Sequence, residues 1–140
     1  MQRLRATVPT LVAMALVSAS CGGSVVSRPG LEVNTEWGSY REISVAELLP
    51  LLDDPQITVV NTHIPFEGDI PGTDLSIPYD QIAANLDQLP DPDSEIVVYC
   101  KGEGMSTIAA ETLTQSGYTA VYKVDGGMIG WEEAGNLLDS

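Results

Sequence analysis

From Tyr40 onward, short apolar runs alternate with amphipathic stretches. Ile57-Thr58-Val59-Val60 and Ile96-Val97-Val98-Tyr99 are compact and rich in β-branched residues, as expected of strands covered on both faces. Residues 119–124 read as another strand. Helical patterns lie between these runs. Ser44 followed by Glu47 forms a capping box that opens a helix over Val45–Leu52, whose last turn Pro50 weakens. Pro78 suits the first position of a helix that carries Ile82, Leu86 and Leu89 at i, i+4 and i+7, and Asp91-Pro92-Asp93 closes it. Residues 106–116 place Ala109 and Leu113 on one helical face, with Gly117 as the C-terminal cap; Gly126-Gly127 then leads into a short helix containing Trp131. This alternation predicts an α/β fold: one domain, a central parallel sheet, and helices on both faces. In such sheets ligands bind at the carboxyl ends of the strands.

The first twenty residues follow a different pattern. Arg3 and Arg5 precede an apolar stretch at 6–19, and Ser18-Ala19-Ser20 puts small residues before Cys21. A charged start, an apolar middle and a small-residue end make a secretory signal peptide over residues 1–20. The stretch is short for a bilayer-spanning helix. The site resembles the lipobox of bacterial lipoproteins, with Cys21 as the lipidated residue, although Ser18 stands where that motif usually has Leu. Residues 21–38, with scattered Ser, Gly and Asn and with Pro29, are expected to form a lipidated end and a flexible tether, and residues 39–140 the domain. The expected location is extracytoplasmic, on a membrane surface, held through the lipid.

The chain has six basic residues against twenty acidic ones, a formal net charge of −14. Without Arg3 and Arg5 only Arg28, Arg41, Lys101 and Lys123 remain basic. That balance excludes nucleic acid and a basic membrane-binding face. It leaves the lipid as the route to a membrane. The carboxylates Asp87, Asp91, Asp93 and Glu95 read as a solvated surface, and no paired-carboxylate hydrolase is supported.

With Cys21 lipidated, Cys100 is the remaining thiol, so no internal disulfide forms. Cys100 ends an apolar run and opens the loop Lys101-Gly102-Glu103-Gly104-Met105, ahead of the helical pattern at Ser106. Backbone N–H groups at a helix start favour an anion, so the placement suits a nucleophile that carries negative charge. The glycines on both sides of Glu103 let the backbone approach a ligand, which a merely buried cysteine does not need. Lys101 can attract an anion, Glu103 opposes one, and Ser106 is expected to cap the helix, with its hydroxyl also able to reach the sulfur. His63, the single histidine, follows a strand end on the same predicted edge and can act as a base or hydrogen-bond donor. One histidine and one cysteine do not make a metal site.

Asn61-Thr62-His63, Gly68-Asp69-Ile70-Pro71-Gly72, the Cys100 loop with Ala109-Ala110 following, and Gly126-Gly127-Met128-Ile129-Gly130-Trp131 resemble, in this order, the segments of the rhodanese-like domain. The likeness runs from about Tyr40 to Leu137. It implies a persulfide-carrying Cys100 whose outer sulfur is cradled by the loop of Lys101, Gly102, Glu103, Gly104, Met105 and Ser106, with His63 at the edge. It also implies a small sulfur-containing donor, a thiol or cyanide acceptor, and no cofactor; a protein that delivers the sulfur is left open. The sequence departs from the family pattern at Asn61 and His63 (usually Asp and Arg), at Asp69 (usually His), and at Met105 (Arg or Thr in many members). Glu103 and these departures favour the alternative of a catalytically weak binding or redox-sensing module and put thiosulfate turnover in doubt. A cysteine phosphatase or arsenate reductase would need an Arg at the position of Ser106 to fork onto the oxyanion.

Overall fold

Successive side chains of a strand point to opposite faces, so an unbroken apolar run requires cover on both sides. The computed structural model, which describes residue 22 and residues 27–140, provides it. Six strands, β1 (Leu31–Asn34), β2 (Ser39–Ile43), β3 (Thr58–Asn61), β4 (Leu75–Ser76), β5 (Ile96–Tyr99) and β6 (Val121–Val124), form one sheet in the order β1-β2-β6-β5-β3-β4. All neighbours are parallel except β1, which runs antiparallel to β2 along the edge. Ile96 and Val98 of β5 enter a core layer with Ala109, Ala110 and Leu113, while Val97 and Tyr99 enter the opposite layer with Leu48, Met128 and Trp131. The first layer lies under helix α2 (Gly104–Gln115), the second under α1 (Val45–Leu52) and α3 (Gly127–Glu133). The α/β fold with helices on both faces is therefore as expected, with one antiparallel edge strand added.

The local signals hold where they rest on backbone chemistry. Ser44 Oγ accepts from the Glu47 N–H at 3.3 Å and Glu47 Oε2 accepts from the Ser44 N–H at 2.9 Å, which completes the capping box. Gly117, at φ +92°, follows the end of α2, and the Tyr118 N–H returns to the Leu113 carbonyl at 3.1 Å.

Two expectations are corrected. Residues 31–38, assigned to a tether, form β1 and the turn into β2. The chain is already fastened before that strand: the Gly30 N–H donates to Glu47 Oε1 at 2.9 Å and Arg41 Nε donates to the Pro29 carbonyl at 2.6 Å. Side chains far along the sequence make those bonds, so apolar periodicity gives no sign of them. The single helix expected after Pro78 is instead two short 3₁₀ segments, Tyr79–Gln81 and Ala83–Gln88, and Asn85 within the second leaves helical geometry at φ −125°. Asn85 Nδ2 donates to the Gln81 carbonyl at 2.8 Å, the local side-chain-to-backbone bonding by which Asn competes with a regular helix. Ile82 and Leu89 are still buried. The segment keeps its apolar stripe and loses only its regularity.

The signal peptide and Cys21 lie outside the described residues. Among the described residues, no helix is long and apolar enough to cross a membrane.

Candidate active site

Strand β5 ends at Tyr99, and Cys100 follows as a buried residue, 2% exposed. Helix α2 begins four residues later at Gly104, after Glu103 as its N-cap. The first N–H groups of a helix have no acceptor within it, so those of Gly104, Met105 and Ser106 stand free at the positive end of the α2 dipole. Unpaired N–H groups at a helix start are the kind of donors that can receive an anion. The Cys100 thiol donates to Ser106 Oγ at 3.3 Å, and the Ser106 hydroxyl donates to the Glu103 carbonyl at 3.1 Å. Ser106 is therefore a buried residue inside the first turn and not the helix cap, because the helix starts two residues earlier than its apolar pattern shows.

A second helix start holds the loop from behind. The N–H groups of Met128 and Ile129, at the beginning of α3, donate to the carbonyls of Cys100 and Lys101 at 2.9 and 3.0 Å. This approach leaves no room at Gly127. A Cβ there would lie 2.2 Å from the Cys100 carbonyl oxygen and 2.8 Å from that of Gly102, and the backbone sits at φ +53°. The α3 N-terminus thus binds loop carbonyls.

Glu103 is engaged by β6 and by the start of α3. Its carboxylate takes Lys123 Nζ and the Gly126 N–H, the latter at the N-cap of α3. Lys123, 2% exposed in β6, also meets Glu42 of neighbouring β2 at 2.8 Å. Burial works against the Lys123 ammonium, but its bonds to Glu103 and Glu42 outweigh that and raise its pKa. Burial likewise opposes the Glu103 carboxylate, while Lys123 and the Gly126 N–H lower its pKa overall. Asp125 is pushed up, chiefly by its bond to Glu103. The charge expected to face an incoming anion is instead the arm that ties the loop to β6.

His63 and Cys100 follow the ends of neighbouring strands, since Asn61 and Tyr99 are partners in the β3–β5 register. Both the N–H and the hydroxyl of Thr62 donate to the Tyr99 carbonyl at 2.8 Å, which locks the two ends side by side. Glu67 joins their loops: Oε2 meets His63 Nε2 and Oε1 accepts from Lys101 Nζ at 2.7 Å. The bond to Lys101 first, and that to His63 second, hold the Glu67 carboxyl below the usual carboxylate range. Asn61 closes the same loop at its base. Its Nδ2 donates to the Gly68 carbonyl at 3.0 Å and to Asp69 Oδ1 at 2.9 Å, and its Oδ1 accepts from the His63 N–H. A cavity of about 230 Å³ opens beside the loop, lined by Glu67, Lys101, Met128, Glu132 and Leu138.

The residues singled out from sequence therefore gather at one sheet edge: Cys100, the loop of Lys101, Gly102, Glu103, Gly104 and Met105, then Ser106, and His63 across from them. Glu67 and Lys123 were missed. Lys123 had a readable signal, a charged residue in the middle of the buried run Val121-Tyr122-Lys123-Val124. Glu67 had none, because its two partners come together only through the β3–β5 pairing. Among the described residues, no group of three or more His, Cys, Asp or Glu is placed to hold a metal.

Comparison with known proteins gives this geometry a context. The model of the rhodanese-like domain matches residues 44–134. The thiosulfate sulfurtransferase GlpE of Pseudoalteromonas translucida is 30% identical over 103 residues, which cover 69% of this chain and 92% of that protein. The tRNA uridine(34) hydroxylase of Erwinia tasmaniensis is 33% identical over 99 residues, 66% of this chain, yet the match spans only 28% of that protein's length. A rhodanese-related protein from Thermoplasma volcanium superposes with a TM-score of 0.59 at 28% identity, covering 71% of this chain and 97% of its own.

Two outcomes test how the loop is held. Gly127→Ala forces either the loop or α3 to shift and should lower unfolding stability by about 2–3 kcal/mol in urea titration, with faster alkylation of Cys100. The Glu103–Lys123 pair has a pH window. Because the pKa of Glu103 is lowered, its contribution is complete above the ordinary value of 4.5 and is lost as pH falls through the lowered value. Because the pKa of Lys123 is raised, its contribution is complete below the ordinary value of 10.5 and is lost as pH rises through the raised value. The Tm of the wild type relative to Lys123→Met should be highest between these limits and fall on either side, as read by thermal melts across pH.

Proposed function

The chain belongs to the rhodanese-like domain family, and from that premise we propose that it is a sulfurtransferase, exported and membrane-anchored through Cys21, that carries sulfane sulfur on Cys100. The observation that carries this reading is the Cys100 thiol, bonded to the Ser106 hydroxyl in the first turn of α2, whose leading N–H groups have no acceptor within the helix. Cys100 Sγ, as thiolate, attacks the sulfane sulfur of a donor. A new Sγ–S bond forms, the donor's S–S bond breaks, and its electron pair leaves on sulfite if the donor is thiosulfate, or on a thiolate if it is a persulfide. The negative outer sulfur of the resulting persulfide then has the loop and first-turn N–H groups as hydrogen-bond donors. A thiol acceptor, as thiolate, or cyanide attacks that sulfur and returns Cys100 as thiolate. The Ser106 hydroxyl, which accepts from the thiol, can rotate to donate to the thiolate. No cofactor enters this chemistry.

A second reading, a binding or redox-sensing module with little turnover, is favoured by the near-complete burial of Cys100. One experiment separates the two. Intact-mass spectrometry of the purified protein after incubation with thiosulfate or a persulfide should show a gain of one sulfur, discharged by cyanide and absent from Cys100→Ser. A folded protein that gains no sulfur from either donor, while an alkylating agent still modifies Cys100, sinks the transferase reading and leaves the second.

Anchoring is tested separately. Cells fed a clickable fatty acid should label the wild type in the membrane fraction, and Cys21→Ala should lose both the label and the sedimentation. An unlabelled wild type would remove the anchor from the proposal.

A further inference from the structure

Lys101 is the cation nearest the sulfur in sequence, and it is already taken. Its ammonium sits on Glu67, whose other oxygen meets His63. Lys123 is shared by Glu103 and Glu42 inside the fold. Arg41 donates to the carbonyls of Pro29 and Gly30, and together with Arg28 it lines a separate cleft with Thr119 and Tyr122. These four are all the lysines and arginines among the described residues, so none of them offers a free charge to the loop. The cavity beside the loop holds two carboxylates, Glu67 and Glu132, against one ammonium, with Met128 and Leu138 as its apolar walls.

Resting on the persulfide reading above, we propose that Glu67 sets the charge class of the sulfur donor: by masking Lys101 it disfavours dianionic donors such as thiosulfate and favours an aminothiol persulfide, whose ammonium balances its own charge. Backbone N–H groups alone receive the anionic sulfur, and the excess carboxylate in the cavity suits the ammonium. In the transfer, Cys100 Sγ forms a bond to the terminal sulfur of R–S–S⁻, the donor's S–S bond breaks, and its electron pair leaves on the aminothiol sulfur. A proton taken up there gives R–SH. Cys100 is left as the persulfide anion, with no outside oxidant or reductant. The sequence-level doubt about thiosulfate thus moves from Glu103, which faces Lys123, to Glu67.

The test compares kcat/KM for loading Cys100 from thiosulfate and from cysteamine persulfide, read by time-resolved intact mass. Removal of one carboxylate charge beside the loop predicts that Glu67→Gln raises the thiosulfate value, by about tenfold if the dianion comes within about 4 Å, and lowers the cysteamine persulfide value, whose ammonium loses a partner. The rise should shrink at high salt. Lys101→Met alone should lower thiosulfate loading, because it leaves the Glu67 carboxylate uncompensated; added to Glu67→Gln, it should abolish the gain. Equal changes for both donors in Glu67→Gln, with an unchanged circular dichroism spectrum, overturn the role of Glu67, as does a thiosulfate gain in the Glu67→Gln, Lys101→Met double variant as large as in Glu67→Gln alone. A wild type that loads from neither donor overturns the persulfide reading itself, and this inference with it.

Discussion

The site depends on the contact between the loop after β5 and the start of α3. Met128 and Ile129 donate to the carbonyls of Cys100 and Lys101, and Gly127 lets the two backbones come within reach. Those carbonyls are satisfied from behind, and the first N–H groups of α2 have no acceptor within their helix. Two helix starts converge on one loop, and the start of α3 binds the loop's own carbonyl oxygens. A side chain at position 127 would separate them.

Charge does the remaining positioning in a chain with few cations to use. Lys123, buried on the α2 side of the sheet, pulls Glu103 across the top of β6 and with it the N-cap of α2. The same carboxylate accepts from Gly126, so Glu103 links the two helix starts. Replacing a buried ion pair with apolar groups is often neutral in stability, so the pair is better understood as fixing the loop's geometry than as a large stabilising contribution. Glu67 does the equivalent between the β3 and β5 loops, joining them through His63 and Lys101. The departures at Asn61 and Asp69 belong to the same frame. The Asn61 amide donates to Asp69, and with Asp at 61 and His at 69, as in the family pattern, a bond between them would run with donor and acceptor exchanged.

Where a signal was local, the structure agrees with it closely. The capping box at Ser44 and Glu47, the cap at Gly117 and the buried strand at Ile96–Tyr99 each depend on neighbours a few residues away, and each is present. Where a side chain competed with the backbone or the controlling partner was distant, the reading slipped. Apolar periodicity after Pro78 gave the right buried face and the wrong regularity, since Asn85 bonds back to the backbone. Ser106 looked like a cap because its residue type suits one, yet the helix starts earlier, at Gly104, under the pull of Glu103 toward Lys123.

The amino-acid sequence by itself determined the α/β layering, the position of Cys100 between strand and helix, and the order of segments that places the chain in its family. These follow from periodicity, caps and short spacings, which act within one or two turns of chain. Only the tertiary structure decided which charges meet. Glu67 reaches Lys101 thirty-four residues away and Lys123 reaches Glu103 across twenty, through strand pairings that no local pattern encodes. The electrostatic character of the site is a property of that register, because ion pairing depends on distance in space and not on separation along the chain.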